Sequence, residues 1–129
     1  MAGQFNLNGI AAAGKTLIVA HSGNGALYTV DPSTGASVAI SGVAVPNVDG
    51  IALRGHRVWA VQNASNQVTR FKLSHDLSSG TPEKVITSGL FEFPTTAALF
   101  GRTLAVINAK FDTGFPPTAS TYEVILTTA

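Results

Sequence analysis

Few residues of this sequence have the types and spacing that catalysis requires. Ser74, His75 and Asp76 follow one another directly, but a catalytic triad is a spatial constellation, and this run has the composition of a solvated turn. The segment Gly23-Asn24-Gly25 lacks the Lys-Ser/Thr pair and the following helix of a phosphate-binding loop. The chain has no cysteine, which excludes disulfides, thiolate nucleophiles and thiolate metal ligands.

Asn8 and Asp49 differ from the other polar residues because each heads one of two similar segments and directly precedes a glycine. The segments are NGIAAAGKTLIVAHS and DGIALRGHRVWAVQN, and a fainter third copy, PTTAALFGRTLAVINA, carries Thr95 at the same position. Asn-Gly and Asp-Gly are favoured in tight turns because Asn, Asp and Gly tolerate a positive φ. Turn formation is therefore the structural interpretation of Asn8 and Asp49.

The repeated segments divide the chain into three units, which we place at residues 8–47, 48–92 and 93–129. Each of the first two units contains four short apolar or alternating runs separated by Gly, Asn, Asp and Ser, which is typical of a β-propeller blade. The first run of each unit is rich in small residues, as expected for a strand near a crowded central axis. Trp59 then belongs to the core between blades. A β-sandwich is the alternative fold, but the internal repeat argues against it.

The third unit carries an insertion within residues 110–120 and ends with a third strand predicted at residues 122–126, so no fourth strand is expected. Long loops on propellers often shape a pocket, so Phe111 and Phe115 of the insertion are predicted at a pocket rim with Thr95. The insertion could equally cover the end of the third blade. His21 aligns with two amide side chains at the end of the second strand. We expect it at the same rim, as a hydrogen-bonding group at a blade surface rather than a general base.

The segments NGIAAAGKTLIVAHSGNGALYTVDPSTGA, VWAVQNASNQVTRFKLSHDLSSG and FPTTAALFGRTLAVINAKFDTGFPP resemble the last blades of the gluconolactonase/regucalcin-like six-bladed propellers. The resemblance implies an all-β half-propeller, equivalent to the C-terminal half of a typical member. In catalytic members a Glu, two Asn and an Asp from different blades hold a divalent cation at the channel mouth. The motif matches Asn8 and Asp49, whose oxygens suit Ca²⁺ or Mg²⁺.

The resemblance further implies a lactone or ester hydrolase, in which the cation polarises the carbonyl and a carboxylate, here Asp49, assists the attack of water. The Glu and the other Asn of that site would belong to the half that this chain does not contain, and Thr95 is a poor ligand. We therefore expect the isolated chain to be inert and the ring to be closed by a second copy of itself or by a complementary N-terminal half.

Composition excludes several other partners. Only 12% of the residues are charged, the formal net charge is +1, and no basic run is present, so a nucleic-acid footprint is not expected. Apolar residues occur in short runs, none of which approaches the roughly 18–20 residues of a membrane helix. Residues 1–4 lack the basic-then-apolar pattern of a secretory signal, and the sequence assigns no compartment.

Overall fold

A computed structural model describes residues 5–129, so the signal-sequence interpretation of residues 1–4 lies outside the described residues. Three antiparallel sheets, with four, four and three strands, form three successive blades. Blade one contains strands β1 (Leu7–Ala13), β2 (Thr16–His21), β3 (Ala26–Val30) and β4 (Ser37–Ala39). Blade two contains β5 (Val48–Arg54), β6 (Arg57–Gln62), β7 (Gln67–Leu73) and β8 (Gly80–Thr87). Blade three contains β9 (Pro94–Phe100), β10 (Thr103–Asn108) and β11 (Val124–Thr128).

The predicted fold class, an all-β propeller segment whose last blade lacks its outer strand, is confirmed. In each blade the strands follow one another in sequence order across the sheet, from β1 to β4, β5 to β8 and β9 to β11. Gly14, Gly55 and Gly101 stand at the same turn of each repeat with φ values of 62°, 57° and 54°. Glycine adopts this left-handed conformation without the steric cost of a Cβ, so these turns fix the pairing of the first two strands.

Two hydrophobic cores lie between the blades. Successive residues of a strand point to opposite faces of a sheet, so β6 sends Val58 and Ala60 toward blade one and Trp59 and Val61 toward blade three. All four side chains are buried, and the prediction for Trp59 is confirmed. Complete burial of a large apolar side chain contributes about 1.5–3 kcal/mol, so the two cores hold the three sheets together.

The first strands of the three blades, β1, β5 and β9, lie side by side. Gly9 and Gly50 make this possible: a Cβ at Gly9 would lie 2.6 Å from the carbonyl oxygen of Asp49, and a Cβ at Gly50 would lie 2.6 Å from that of Thr95. These distances are far below van der Waals contact. The small residues predicted near the axis are thus required by backbone approach as well as by side-chain packing.

The expectation of tight turns at Asn8-Gly9 and Asp49-Gly50 is wrong. Both pairs lie within strands, at a register shift where two residues face one on the neighbouring strand, which is a β-bulge. A turn motif and a bulge both favour Gly, so the dipeptide alone does not distinguish them.

Strand bounds also differ from the predictions. The third strand of blade three covers Val124–Thr128 rather than residues 122–126, and the fourth strand of blade two begins at Gly80. Gly80 pairs with Leu73 of β7, and its N–H donates to the carbonyl of Ser41, a main-chain contact that has no side-chain signature.

Candidate functional site

A cleft of about 730 Å³ opens where the first strands begin and the second strands end. Four of its lining residues lie at these strand ends and have oxygen atoms in their side chains: Asn8, Ser22, Asp49 and Asn63. Thr95 occupies the equivalent position in blade three and also lines the cleft. The predicted residues Asn8, Asp49 and Thr95 are therefore brought together by the fold.

The β-bulges place these three side chains at the cleft. In blades one and two the ladder shifts register between Leu7 and Ile10 and between Val48 and Ile51, and a similar shift precedes Thr96 in blade three. A bulge breaks the alternation of side chains along a strand, so it can aim a residue that would otherwise face a neighbouring blade. The bulge thus positions a polar residue of each blade at one common cleft.

In each blade one main-chain hydrogen bond joins the residue just before the first strand to the residue just after the second strand. It recurs in all three blades, as Ser22 N to Asn6 O (2.8 Å), Asn63 N to Asn47 O (2.9 Å) and Ala109 N to Phe93 O (3.1 Å). The threefold recurrence shows that the cleft is part of the blade repeat.

The polar side chains of the cleft form local hydrogen bonds. Asn8 Nδ2 donates to Ser22 Oγ at 3.3 Å, and Asn63 Nδ2 donates to Asp49 Oδ2 at 3.1 Å. Asn47, on the loop before β5, donates from Nδ2 to Ser65 Oγ at 3.1 Å. The three amide nitrogens are thus directed to protein acceptors.

Asp49 is half-buried, and among residues 5–129 it forms no ion pair. Burial raises the pKa of its carboxyl above the ordinary value, and hydrogen bonds from Asn63 and Asn8 act in the opposite direction. A half-buried carboxylate without a cationic partner is energetically costly. Ionisable groups in such unfavourable surroundings are frequent at binding sites.

An aromatic rim borders the cleft, built from residues of the blade-three part of the chain and from Phe5, which precedes β1. Four phenylalanines line it, with successive ring centroids 5.9 Å apart for Phe93 and Phe111, 5.3 Å for Phe111 and Phe115, and 6.1 Å for Phe115 and Phe5. Phe111 and Phe115, which were predicted at a pocket rim, line this cleft.

The insertion that carries Phe111 and Phe115 is held by polar contacts. Lys110 Nζ lies 2.8 Å from Glu123 Oε1 and 3.1 Å from Glu92 Oε2, which ties both ends of the insertion to the blade. Thr113 Oγ1 donates to the carbonyl of Lys110 at 2.7 Å and accepts from the N–H of Thr118 at 3.1 Å. The loop therefore has a defined conformation.

His21 does not line this cleft but a second groove of about 510 Å³ on the outer face of blade one, which shares Asn8 with the cleft. Its Nδ1 accepts a hydrogen bond from the N–H of Asn24 at 3.1 Å, and its ring contacts Tyr28, with centroids 6.0 Å apart. The aligned residues Gln62 and Asn108 are buried, and each donates to a carbonyl of the loop that leads into its own blade. The fold places His21 at a blade surface.

Sequence reasoning missed Asn63, Ser22 and the remaining two phenylalanines. The signal for Ser22 and Asn63 was present, because they directly follow His21 and Gln62, respectively, in the aligned repeats. Phe5 and Phe93 precede the repeated segments and had no such signal.

Residues 5–129 contain no cluster of three or more His, Asp and Glu side chains arranged to hold a metal ion. Within the same part of the chain, no helix has the length and apolar character needed to cross a membrane.

Solved structures show what the fold is similar to. The N-terminal domain of Nup159, a β-propeller, aligns with 93% of this chain at a TM-score of 0.61 and 10% identity. A chain in an S. cerevisiae complex of a Dbp5 variant with Nup159, a Gle1 variant, IP6 and ADP aligns with 79% at a TM-score of 0.58 and 10% identity. The chain spans 33% and 28% of those two chains, respectively. No family model matches the sequence, and neither does any curated protein.

Proposed function

We propose that this chain is a self-assembling half of a propeller, and that two copies close a ring of six blades. The observation that carries the proposal is the pair of apolar sheet faces at the two ends of the three-blade segment. On blade three Leu126, Val124 and Phe100 are 62%, 58% and 55% exposed. On blade one Leu7 and Ile10 are 70% and 61% exposed. Such contiguous apolar faces mark interaction surfaces.

The two exposed faces are of complementary kinds. The outer face of blade one carries Ile10, Leu17 and Val19, which are the repeat equivalents of Ile51, Val58 and Ala60, the residues with which blade two packs against blade one. The outer face of blade three carries Ala105 and Ile107, which are the equivalents of Trp59 and Val61, the residues with which blade two packs against blade three. Each copy therefore has one face of each kind.

Docking blade three of one copy against blade one of another repeats the contact that already exists twice within the chain. Closure with two copies gives six blades, within the natural range of about four to eight, whereas three copies would give nine. A head-to-tail contact that does not close produces an open filament instead. Two copies are therefore the assembly that the blade geometry favours.

Light scattering behind a sizing column tests the proposal, with an expected mass near twice the 13.3 kDa of the chain. Ile10→Lys and Leu126→Lys, each on one exposed end face, are expected to give monomers. Val85→Lys is the matched control: Val85 is 54% exposed but belongs to the middle blade, so its variant stays dimeric.

A monomeric wild-type chain overturns self-closure and favours a complementary N-terminal half as the partner. A series of masses above the dimer overturns the closed ring.

A metal-dependent lactone or ester hydrolase is the second candidate function, favoured by the position of Asn8 beside Asp49 at the cleft. One copy supplies a single carboxylate there and does not fit a Ca²⁺ site, which takes about six to eight oxygen ligands. A two-copy ring would supply two Asp49 and two Asn8 side chains. Calcium titration of the assembled protein and of Asp49→Ala checks this candidate, and equal affinities would exclude Asp49 as a ligand.

A further inference from the structure

We propose that the cleft binds a small organic cation, a quaternary ammonium or a protonated amine, between its phenylalanine rim and the carboxylate of Asp49. The lining residues all belong to one chain, so this inference does not depend on closure of the ring. It also requires no metal ion.

The charge of the cleft selects the sign of the ligand. Among the described residues that line it, Asp49 is the one ionisable side chain, and no Lys, Arg or His is present. Phosphates and carboxylates would meet a half-buried negative charge without a cationic partner, so anionic ligands are disfavoured. A cation would neutralise Asp49 and relieve the cost of its burial.

The hydrogen-bonding groups of the cleft also favour a cationic ligand. The amide nitrogens of Asn8, Asn47 and Asn63 donate to Ser22, Ser65 and Asp49, respectively. The side-chain oxygens of Asn8 and Asn47 receive no hydrogen bond from the described residues. These two amide oxygens and the Asp49 carboxylate are acceptors that match the N–H groups of an amine or the polarised C–H groups around a quaternary nitrogen.

The aromatic rim supplies the remaining recognition element. The faces of aromatic rings attract cations, and groups of rings are the usual surroundings of quaternary ammonium ligands. Phe93, Phe111, Phe115 and Phe5 form a continuous series of ring pairs with centroids 5.3–6.1 Å apart. The 730 Å³ cleft lies within the range of about 300–1,000 Å³ that small-molecule sites occupy.

The experiment compares choline with 3,3-dimethyl-1-butanol, a neutral molecule of nearly the same shape, by calorimetry and by amide chemical shifts on the wild-type protein. We expect choline to bind about tenfold more tightly, with shifts concentrated at the cleft. Asp49→Asn keeps the size of the side chain and removes its charge, and it is expected to reduce choline affinity about five- to tenfold. Phe111→Leu is expected to reduce it to a similar extent.

Asp31→Asn is the matched control, because it removes the same charge from the turn after β3, away from the cleft, and leaves choline affinity unchanged. Equal binding of choline and its neutral analogue overturns cation recognition. Unchanged choline affinity in Asp49→Asn overturns the assignment of the carboxylate, and calcium binding without choline binding favours the metal site instead. Amide spectra that match the wild type establish that each variant is folded.

Discussion

Substitution of Gly50 by alanine tests the close approach of the inner strands. The added methyl would lie 2.6 Å from the carbonyl oxygen of Thr95 and 2.9 Å from the Cα of Thr96. Both are backbone atoms of β9, so no side chain can rotate away and the two strands must separate. Forcing an extra carbon into a packed site costs about 1–3 kcal/mol. The loss of glycine freedom in the unfolded chain offsets about 0.4–1 kcal/mol of that.

We therefore expect Gly50→Ala to lower the free energy of unfolding by about 1–2 kcal/mol, and the melting temperature by about 5–10 °C. Thermal unfolding followed by circular dichroism, together with urea unfolding, measures both quantities. Gly89→Ala is the matched control, because a Cβ at Gly89 would meet no atom within 4 Å. Its stability should equal or slightly exceed the wild-type value. Equal melting temperatures for Gly50→Ala, Gly89→Ala and the wild type would refute the proposed geometry of the axis.

Three further predictions concern the closing contact, the cleft and the blade entry. Thr96 stands where the other blades have Gly9 and Gly50, so Thr96→Gly should tighten dimerisation, and an unchanged dissociation constant in sedimentation would contradict this. Burial raises the pKa of Asp49 in the folded state, so the free energy of unfolding falls as pH rises through that pKa. Asp49→Asn should therefore be more stable than the wild type at neutral pH. Urea titrations should show that this difference in stability disappears below the ordinary pKa of an aspartate. Asn108→Leu leaves the carbonyl of Leu90 and the N–H of Glu92 without their partner. It should lower the free energy of unfolding in urea by about 2–4 kcal/mol, whereas a decrease of less than about 1 kcal/mol would argue against a hydrogen-bonding role of Asn108.

The fold was predictable because its determinants recur in the sequence. Gly14, Gly55 and Gly101 mark the same turn of every blade, and the alternating runs around them fix which side chains enter the two cores. The bulges at Asn8 and Asp49 were not predictable. They arise from the approach of neighbouring inner strands, which no local pattern records.

The candidate site was predictable only in part. Asn8, Asp49 and Thr95 share one repeat position, so the alignment alone brought them together. His21 does not line the cleft, and neither do its repeat equivalents Gln62 and Asn108. Gln62 and Asn108 are buried, whereas His21 contacts Tyr28 on the outer face of blade one. Repeat position determines where a backbone lies, whereas the face that a side chain meets depends on whether a neighbouring blade is present.

The pairs Asn8-Gly9 and Asp49-Gly50 connect the packing of the inner strands to the chemistry of the cleft. Gly9 and Gly50 allow each inner strand to approach the next, and the residue before each glycine, Asn8 or Asp49, lines the cleft. Blade three has Thr95-Thr96 instead, and among residues 5–129 no blade lies on the side of it that faces away from blade two. Besides Thr95 and Phe93, blade three contributes Phe111 and Phe115 of its insertion to the cleft. Blades one and two therefore supply Asn8 and Asp49 to the cleft, and the insertion of blade three supplies two of the phenylalanines that a cation would contact.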